Sequence, residues 1–170
     1  FFQLLEGSGA MQNGEFGLTS LTRGAKVGSG AATVNDYNFK TPKANLASSS
    51  VGSFDPDLEI YDYPTGYRDI PAGQVLARLR QEALSCEKRW TEGTSNVPQF
   101  AAARIFEATH HESLIFAGSF LLVRVKHTFE RETQGTERFA AKPATYENEF
   151  FAIPSSVPWR PATKTPHPVI

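Results

Sequence analysis

The sequence predicts an α+β fold that is mainly β, made of small β-barrel-like modules with one amphipathic helix packed on them. Short apolar segments separated by Gly, Ser, Asn and Pro fill most of the 170 residues, a pattern typical of short strands. One segment alone repeats apolar residues at spacings of three and four, which indicates a helix. Hydrophobic residues make up 40% and charged residues 21%, so the chain can bury a core and wholesale disorder is excluded.

Residues 1–57 are predicted to form a β-rich, loop-containing segment, part of a larger module. Leu18–Leu21 and Ala32–Val34 are short apolar runs bounded by turn residues, and each predicts a strand. Gly28–Gly30 and Ser48–Ser50 are runs of small residues, and they predict exposed loops.

Residues 58–155 are predicted to form a β-barrel-like module that contains the helix. Its first strand, Leu58–Tyr63, alternates strictly, so that Tyr61 and Tyr63 share one face. Two tyrosines on that face predict that both faces are partly covered. Pro64 ends the strand because it has no N–H for the ladder.

The helix is predicted over residues 72–92. Pro71 suits a helix start, which tolerates a missing N–H, and Gly93 suits a left-handed C-cap. Apolar side chains lie along one side of this helix, and their burial is favourable, so the helix is expected to pack on a sheet. The predicted apolar stripe consists of Val75, Leu76, Leu79, Ala83, Cys86 and Trp90.

Three more strands are predicted after the helix, within Phe100–Thr109, Phe120–Phe129 and Tyr146–Ile153. In the second of these, alternation places Val123 and Val125 on one face. Residues 156–170 hold four prolines and are predicted to be an extended connector to a further domain.

Charge and cysteine content exclude several classes of protein. With 17 basic and 18 acidic side chains, the chain has no basic surplus for nucleic acid or an anionic membrane. No apolar run approaches the roughly 20 residues of a membrane span. Cys86 is the only cysteine, which suits assembly in a reducing cytoplasm.

No catalytic pattern emerges from the residues that could carry chemistry. His110, His111 and His127 could converge on a metal only in part, because adjacent strand residues point to opposite faces. Cys86 lies on the predicted apolar stripe and is interpreted as a core thiol. Ser8 lies between glycines but lacks the strand and helix of a nucleophile elbow. We therefore expect no enzyme activity, no cofactor and no metal.

Several motifs, in order, resemble the VgrG family of type VI secretion spike proteins, which is related to the hub proteins of contractile phage tails. Ala103 departs from the pattern, because the family usually has Gly there, and Thr65 is inserted before Gly66. The matching segments are Leu18–Arg23, Thr33–Phe39, Leu58–Pro64, Ala77–Arg80, Phe100–His110, Phe120–His127, Tyr146–Phe150 and Trp159–Pro161.

The resemblance implies a structural role. It implies a phage-tail-hub-like base of a spike that forms a homotrimer, caps the hexameric secretion tube and is propelled into target cells. It further implies assembly in the cytoplasm followed by translocation. Because the chain begins at Phe1, we interpret it as an internal fragment. A phage or prophage baseplate hub, or a module that binds an effector or adaptor, is the alternative.

Four aromatic residues are predicted to be buried only on assembly: Tyr61, Tyr63, Trp90 and Phe129. Aromatic side chains are enriched in the buried centres of subunit interfaces. If they are interface residues, their replacement by alanine weakens oligomerisation without unfolding the monomer.

Overall fold

The structure is a computed structural model that describes residues 2–3, 16–109, 117–131 and 144–161. The chain divides into two compact units, each discontinuous in sequence. Unit 1 comprises the described residues of Phe1–Gly24 and Trp90–Ser156, and unit 2 those of Ala25–Arg89 and Val157–Ile170.

Unit 1 is built on a six-stranded sheet that curls into a half-barrel, in the order β1-β7-β8-β9-β6-β2. The β7–β8, β8–β9 and β9–β6 pairs are antiparallel, whereas β1 pairs with β7 in parallel. The strands are β1 (Phe2–Gln3), β2 (Leu18–Ala25), β6 (Arg89–Ser95), β7 (Ile105–Thr109), β8 (Gly118–Glu130) and β9 (Thr145–Pro154).

Four phenylalanines form the centre of the unit 1 core. Phe100, Phe106, Phe120 and Phe150 are buried, with ring centroids 5.0–5.5 Å apart. Such aromatic pairs contribute about 0.5–1.5 kcal/mol each beyond the area they bury. Leu18 is buried in the same cluster, so β2 is held by the core as well as by its ladder.

A bulge in β8 corrects one prediction about side-chain faces. The pairing with β9 shifts register between Leu122 and Arg124. Phe120 and Leu122 face the core, and Val125 packs against the same cluster. Val125 therefore does not share a face with Val123 as predicted, because one extra residue on a strand reverses the alternation.

Unit 2 packs one helix on a three-stranded sheet, as predicted. The sheet has the order β4-β3-β5, from β3 (Ala31–Val34), β4 (Ser48–Val51) and β5 (Glu59–Asp62). The helix, α1, spans Ile70–Cys86 and packs against β3 and β4. Its residue Ala77 is buried with Val34 and Leu46. Close approach is possible at Gly73, where a Cβ atom would lie 2.5 Å from the Tyr67 ring.

The predicted helix end was wrong. The helix starts with Asp69 as its N-cap, which accepts a hydrogen bond from the Ala72 N–H at 2.9 Å. It ends at Cys86, because Lys88 turns away from the axis and its ammonium bonds the Phe54 carbonyl and the Asp55 carboxylate. Residues 89–92, predicted as helix, begin β6 instead.

The predicted apolar stripe is also corrected at two of its positions. Val75 is half exposed, and Trp90 lies on a strand. Gly93 is not a helix cap but a strand residue, and it lets β2 approach β6. A Cβ atom at this glycine would lie 2.2 Å from the Ser20 carbonyl oxygen.

Two further predictions about the chain before residue 63 are corrected. Ser48–Ser50 is not a loop, since it forms most of β4 and Ser48 is buried. Gly30 lies in a loop as predicted, but it is buried. The neighbouring backbone packs closely against it, since a Cβ atom at this position would lie 1.9 Å from the Phe54 carbonyl oxygen. Burial against helices and neighbouring strands overrides a composition that is typical of loops.

The fold class predicted from the sequence is confirmed: the described residues are mainly β, with one helix packed on a sheet. The two units are discontinuous in sequence, whereas the predicted segments 1–57, 58–155 and 156–170 are consecutive. Those segment boundaries, and the connector role of residues 156–170, stay predictions.

Candidate interface surfaces

The outer face of the unit 2 sheet combines polar residues with exposed apolar ones. Val34 and Ser48 point toward α1, so alternation turns Thr33 and Tyr61 to the opposite face. Tyr61 is 60% exposed there, and its hydroxyl accepts a hydrogen bond from the Asn35 amide at 3.0 Å. Val51, at the end of β4, is exposed on the same face. This outer face is an aromatic and aliphatic surface with fixed polar positions.

A tight turn after β5 carries Tyr63 outward. The Asp36 carboxylate accepts hydrogen bonds from the backbone N–H groups of Tyr37, Thr65 and Gly66. Gly66 has φ of 83°, a left-handed conformation that favours glycine. Tyr63 is exposed, and together with Leu76 and Arg80 of α1 it lines a pocket beside this turn.

The electrostatics of this turn follow from its backbone donors. Burial by itself raises the pKa of the Asp36 carboxyl, but the N–H groups of Tyr37, Gly66 and Thr65 outweigh that effect. The net result is a pKa below the ordinary aspartate value, because hydrogen bonds to the ionised form favour it. The carboxylate therefore acts as the fixed charge that organises the turn.

In unit 1, Phe129 lies on the exposed end of the β8–β9 ladder. It pairs in register with Tyr146 and is 68% exposed. The Tyr146 hydroxyl lies 2.6 Å from His127 Nδ1 and accepts a hydrogen bond from Asn148. Neighbouring side chains are thus ordered by hydrogen bonds, while the Phe129 ring faces solvent.

Trp90 differs from the other three predicted interface residues. Its side chain is half-buried rather than exposed, and the indole lies against the backbone of Gly24 in β2, where a Cβ atom would meet the ring at 2.2 Å. Tyr61 and Tyr63 share unit 2, whereas Trp90 and Phe129 belong to unit 1. Both tyrosines are exposed within unit 2, and the assignment of all four residues to an interface stays a prediction.

Several exposed apolar residues in unit 2 were not identified from the sequence. Phe39 and Tyr37 are exposed in the loop after β3, and Val27 is exposed before it. The only sequence signal was their placement in loop-like stretches, where a large apolar residue has no core to enter. The prediction that both faces of Leu58–Tyr63 are partly covered is met least at the two tyrosines, because Tyr61 and Tyr63 are 60% and 57% exposed in the single chain.

The residues considered for chemistry have ordinary structural surroundings where the structure describes them. Cys86 is 3% exposed, and burial raises the pKa of its thiol, which confirms it as a core thiol. His127 is exposed and hydrogen-bonded. His110, His111 and Ser8 lie outside the described residues. Within the described part of the chain, no group of three His, Cys, Asp or Glu side chains is placed to hold a metal ion.

A cavity of about 600 Å³ opens on the unit 1 sheet. Its lining includes Arg124, whose guanidinium lies 5.7 Å from the centre of the Phe151 ring, and Lys126, whose ammonium lies 3.5 Å from the Glu149 carboxylate. The hydroxyls of Ser20 and Thr94 are hydrogen-bonded to each other at 2.8 Å. The lining groups are engaged with one another, as on a mixed polar surface.

The described residues contain no helix that is both long and apolar enough to cross a bilayer.

Comparison with known proteins gives a consistent result. The family model for the phage tail baseplate hub (GPD) matches residues 3–133, more than three quarters of the chain. The chain is 28% identical over 148 residues to the type VI secretion system spike protein VgrG4b of Pseudomonas aeruginosa, covering 80% of this chain and 18% of that protein. It is 24% identical over 131 residues to spike protein VgrG3 of Vibrio cholerae, covering 75% of this chain and 13% of that protein.

A solved structure agrees on the fold. The 43 kDa tail protein of prophage MuSo2 from Shewanella oneidensis superimposes with a TM-score of 0.50 at 8% identity, over 81% of this chain and 40% of that one. The chain spans less than a fifth of the length of both spike proteins. The resemblance stated from the motifs is confirmed, and the chain belongs to the phage tail baseplate hub (GPD) family.

Proposed function

We propose that this chain is part of the structural hub of a type VI secretion spike, and that it acts mechanically rather than as an enzyme. The observation that carries the proposal is the baseplate hub match over residues 3–133, joined to identities of 24–28% with VgrG spike proteins. The described side chains support it, because the reactive groups are buried or paired while aromatic rings face solvent.

In this proposal the hub is a homotrimer that caps the hexameric secretion tube. It assembles in the cytoplasm and is then propelled outward with the spike. An interface that carries contraction force must bury a large apolar area, because each buried aromatic side chain excludes 150–250 Å² from water. The exposed Tyr61, Tyr63 and Phe129 supply such area, and the half-buried Trp90 supplies part of it.

The interface is tested by replacing Tyr61 and Tyr63 together with alanine in the full-length protein. We expect the trimer to dissociate at concentrations where the unaltered protein stays assembled, because interface truncations at aromatic positions cost about 2 kcal/mol or more in association free energy. Mass is measured by light scattering coupled to size exclusion, and melting temperature by circular dichroism.

Tyr37→Ala is the matched control, since Tyr37 belongs to the same unit and is 59% exposed. The control should leave the mass unchanged. A trimer that survives the double replacement would remove these tyrosines from the interface. A melting temperature that falls as steeply as the mass would show that they are needed for the fold instead.

A phage or prophage baseplate hub is the second candidate, and the match to the phage tail baseplate hub family over residues 3–133 favours it. The two candidates are separated by complementation with the full-length gene. Restored release of the tube protein in a strain that lacks its spike protein supports the secretion role, and restored tail assembly in a hub-defective phage supports the alternative.

A further inference from the structure

The described start of the proline-rich tail lies on the last turns of α1, within unit 2. We call Val157–Pro161 the strap. Arg160 Nε donates to Glu82 Oε2 at 2.7 Å. The Arg160 backbone N–H donates to Cys86 Sγ at 3.2 Å, and the Cys86 thiol donates to the Pro158 carbonyl at 3.2 Å. One carboxylate and one thiol therefore hold two points of the strap.

The helix places these two groups together. Glu82 and Cys86 are four residues apart, so they lie on one helix face. The Glu82 side chain is only 19% exposed, and Arg78 lies 3.9 Å from its other oxygen on the helix itself. With the strap in place, the Glu82 carboxylate is thus largely covered, and its direct hydrogen bond is to Arg160 while Arg78 makes only a long contact.

The strap is also restricted by its own sequence. Pro158 and Pro161 fix their φ angles and have no N–H groups to leave unpaired. Trp159 between them is 39% exposed, so this residue is partly covered in addition to the contacts of Arg160 and of the strap backbone. A stiff segment held at two backbone positions fixes the direction of the chain that follows it better than a flexible segment does.

We propose that the strap is a latch, in which Glu82 and Cys86 hold the chain after β9 against α1 and release it as one piece. While closed, the latch sets the direction in which the chain proceeds beyond Pro161 and ties any pull on that chain to the helix. When open, it uncovers the thiol. This inference does not depend on the proposed function.

Cys86 supplies the means of detection because it is the only cysteine of the 170 residues. Its thiolate displaces a thionitrobenzoate anion from 5,5′-dithiobis(2-nitrobenzoate), forming a mixed disulfide in equal amount. Burial raises the pKa of the thiol, whereas the Arg160 charge lowers it. Removing Arg160 would by itself slow the reaction, so an acceleration reports opening of the latch and not a change in thiol acidity.

The experiment compares reaction rates of the native chain, Arg160→Glu, and the charge exchange Glu82→Arg with Arg160→Glu. We expect Arg160→Glu to accelerate labelling about fivefold or more, and the exchange to restore most of the slow rate. Because the exchange leaves a cation beside the thiol, restored slowness can only come from a closed strap. Arg78→Ala is the matched control, since it removes the cation on the helix and leaves the strap contacts in place.

Unchanged labelling in Arg160→Glu would overturn the latch, as would an exchange variant that labels as fast as the single variant. Melting temperatures separate local from global opening. A rate that rises only in proportion to a loss of global stability, or equally in Arg78→Ala, would also contradict the proposal.

Discussion

At the scale of single residues, the motif positions have structural tasks that their spacing alone does not reveal. Asn148 is fully buried and donates a hydrogen bond to the Val97 carbonyl at 2.9 Å. The Tyr67 hydroxyl is hydrogen-bonded to the Val34 and Leu46 carbonyls. The Asn148 amide nitrogen and the Tyr67 hydroxyl are thus paired, whereas Asn148 Oδ1 has no hydrogen-bond partner among the described residues. The paired groups favour one arrangement of the backbone around them. The motifs that carry the family resemblance therefore specify the fold.

Ala103 offers a residue-scale prediction, because it has φ of 66° at the position where the family pattern usually has Gly. A left-handed conformation costs a non-glycine residue about 1–2 kcal/mol, partly offset by the greater unfolded-state entropy of glycine. We expect Ala103→Gly to raise the free energy of unfolding by about 0.5–1 kcal/mol. Denaturant unfolding measures the change.

The neighbouring Ala102→Gly serves as the control and should lower the free energy of unfolding. If both replacements destabilise to the same extent, the strain at residue 103 is not present in solution.

The departure from glycine at residue 103 was visible in the sequence, but its positive φ was not, because φ depends on the hydrogen bonds between this turn and β8. The Ala103 N–H donates to the Leu122 carbonyl at 2.8 Å, and Leu122 donates to the Arg104 carbonyl. Hydrogen bonds between residues far apart in sequence select a local conformation here that the neighbouring residues do not predict.

At the scale of elements, the sequence predicted most strands, and errors came where a neighbour competes with local preference. Helical periodicity continued through Trp90, yet the chain leaves the helix after Cys86 because Lys88 reaches Asp55, 33 residues earlier. Ser48–Ser50 reads as a loop, yet it pairs with Ala32–Val34 as an edge of the sheet. The bulge after Leu122 reverses a strand face. The helix end, the pairing of Ser48–Ser50 and the bulge each depend on a residue or strand that is distant in sequence.

The turn after β5 carries an element-scale prediction about pH. Since the pKa of the folded Asp36 carboxyl is lowered, its contribution to stability is present above the unfolded aspartate value near 4 and is lost as pH falls through the folded value. We expect Asp36→Asn to reduce the free energy of unfolding at pH 7 on the order of 1 kcal/mol. The difference from the native chain should shrink between about pH 4 and pH 2.

Melting temperatures at pH 7 and at pH 3 measure this difference. Asp57→Asn is the control, because Asp57 is an exposed carboxylate in the same unit. A gap between Asp36→Asn and the native chain that stays constant with pH would show that the carboxylate charge has no part in holding the turn.

At the scale of the whole molecule, the candidate interface could be predicted only in part. Aromatic residues on strands were visible in the sequence, but which of them a core covers was not. Tyr61 and Phe129 are exposed, while Phe100 and Phe106 fill the core, although all four are aromatic residues in or beside predicted strands. Whether an aromatic side chain is buried or exposed depends on the sheet curvature and on the partner strands, and both are set by strand pairing across the chain.

Net charge gives a prediction for the assembled protein. The chain carries a formal charge of -1, and the proposed contacts are aromatic, so charge attraction contributes little to self-association. We therefore expect the oligomer mass of the full-length protein to be the same in 0.1 M and 1 M sodium chloride, where the screening length falls from about 10 Å to about 3 Å. Light scattering at both concentrations tests this. Dissociation in 1 M salt would assign the interface to ion pairs instead.

The discontinuity of unit 1 sets an order of events during synthesis. Leu18 on β2 belongs to a core completed by Phe150 on β9. At ordinary translation rates of about 5–20 residues per second, β2 leaves the ribosome on the order of ten seconds before that core can close. Residues 25–89, which hold the β3–β4–β5 sheet and α1, emerge in between. The nascent chain must therefore keep β2, with the Leu18 side chain, without its core partners while the inserted segment emerges.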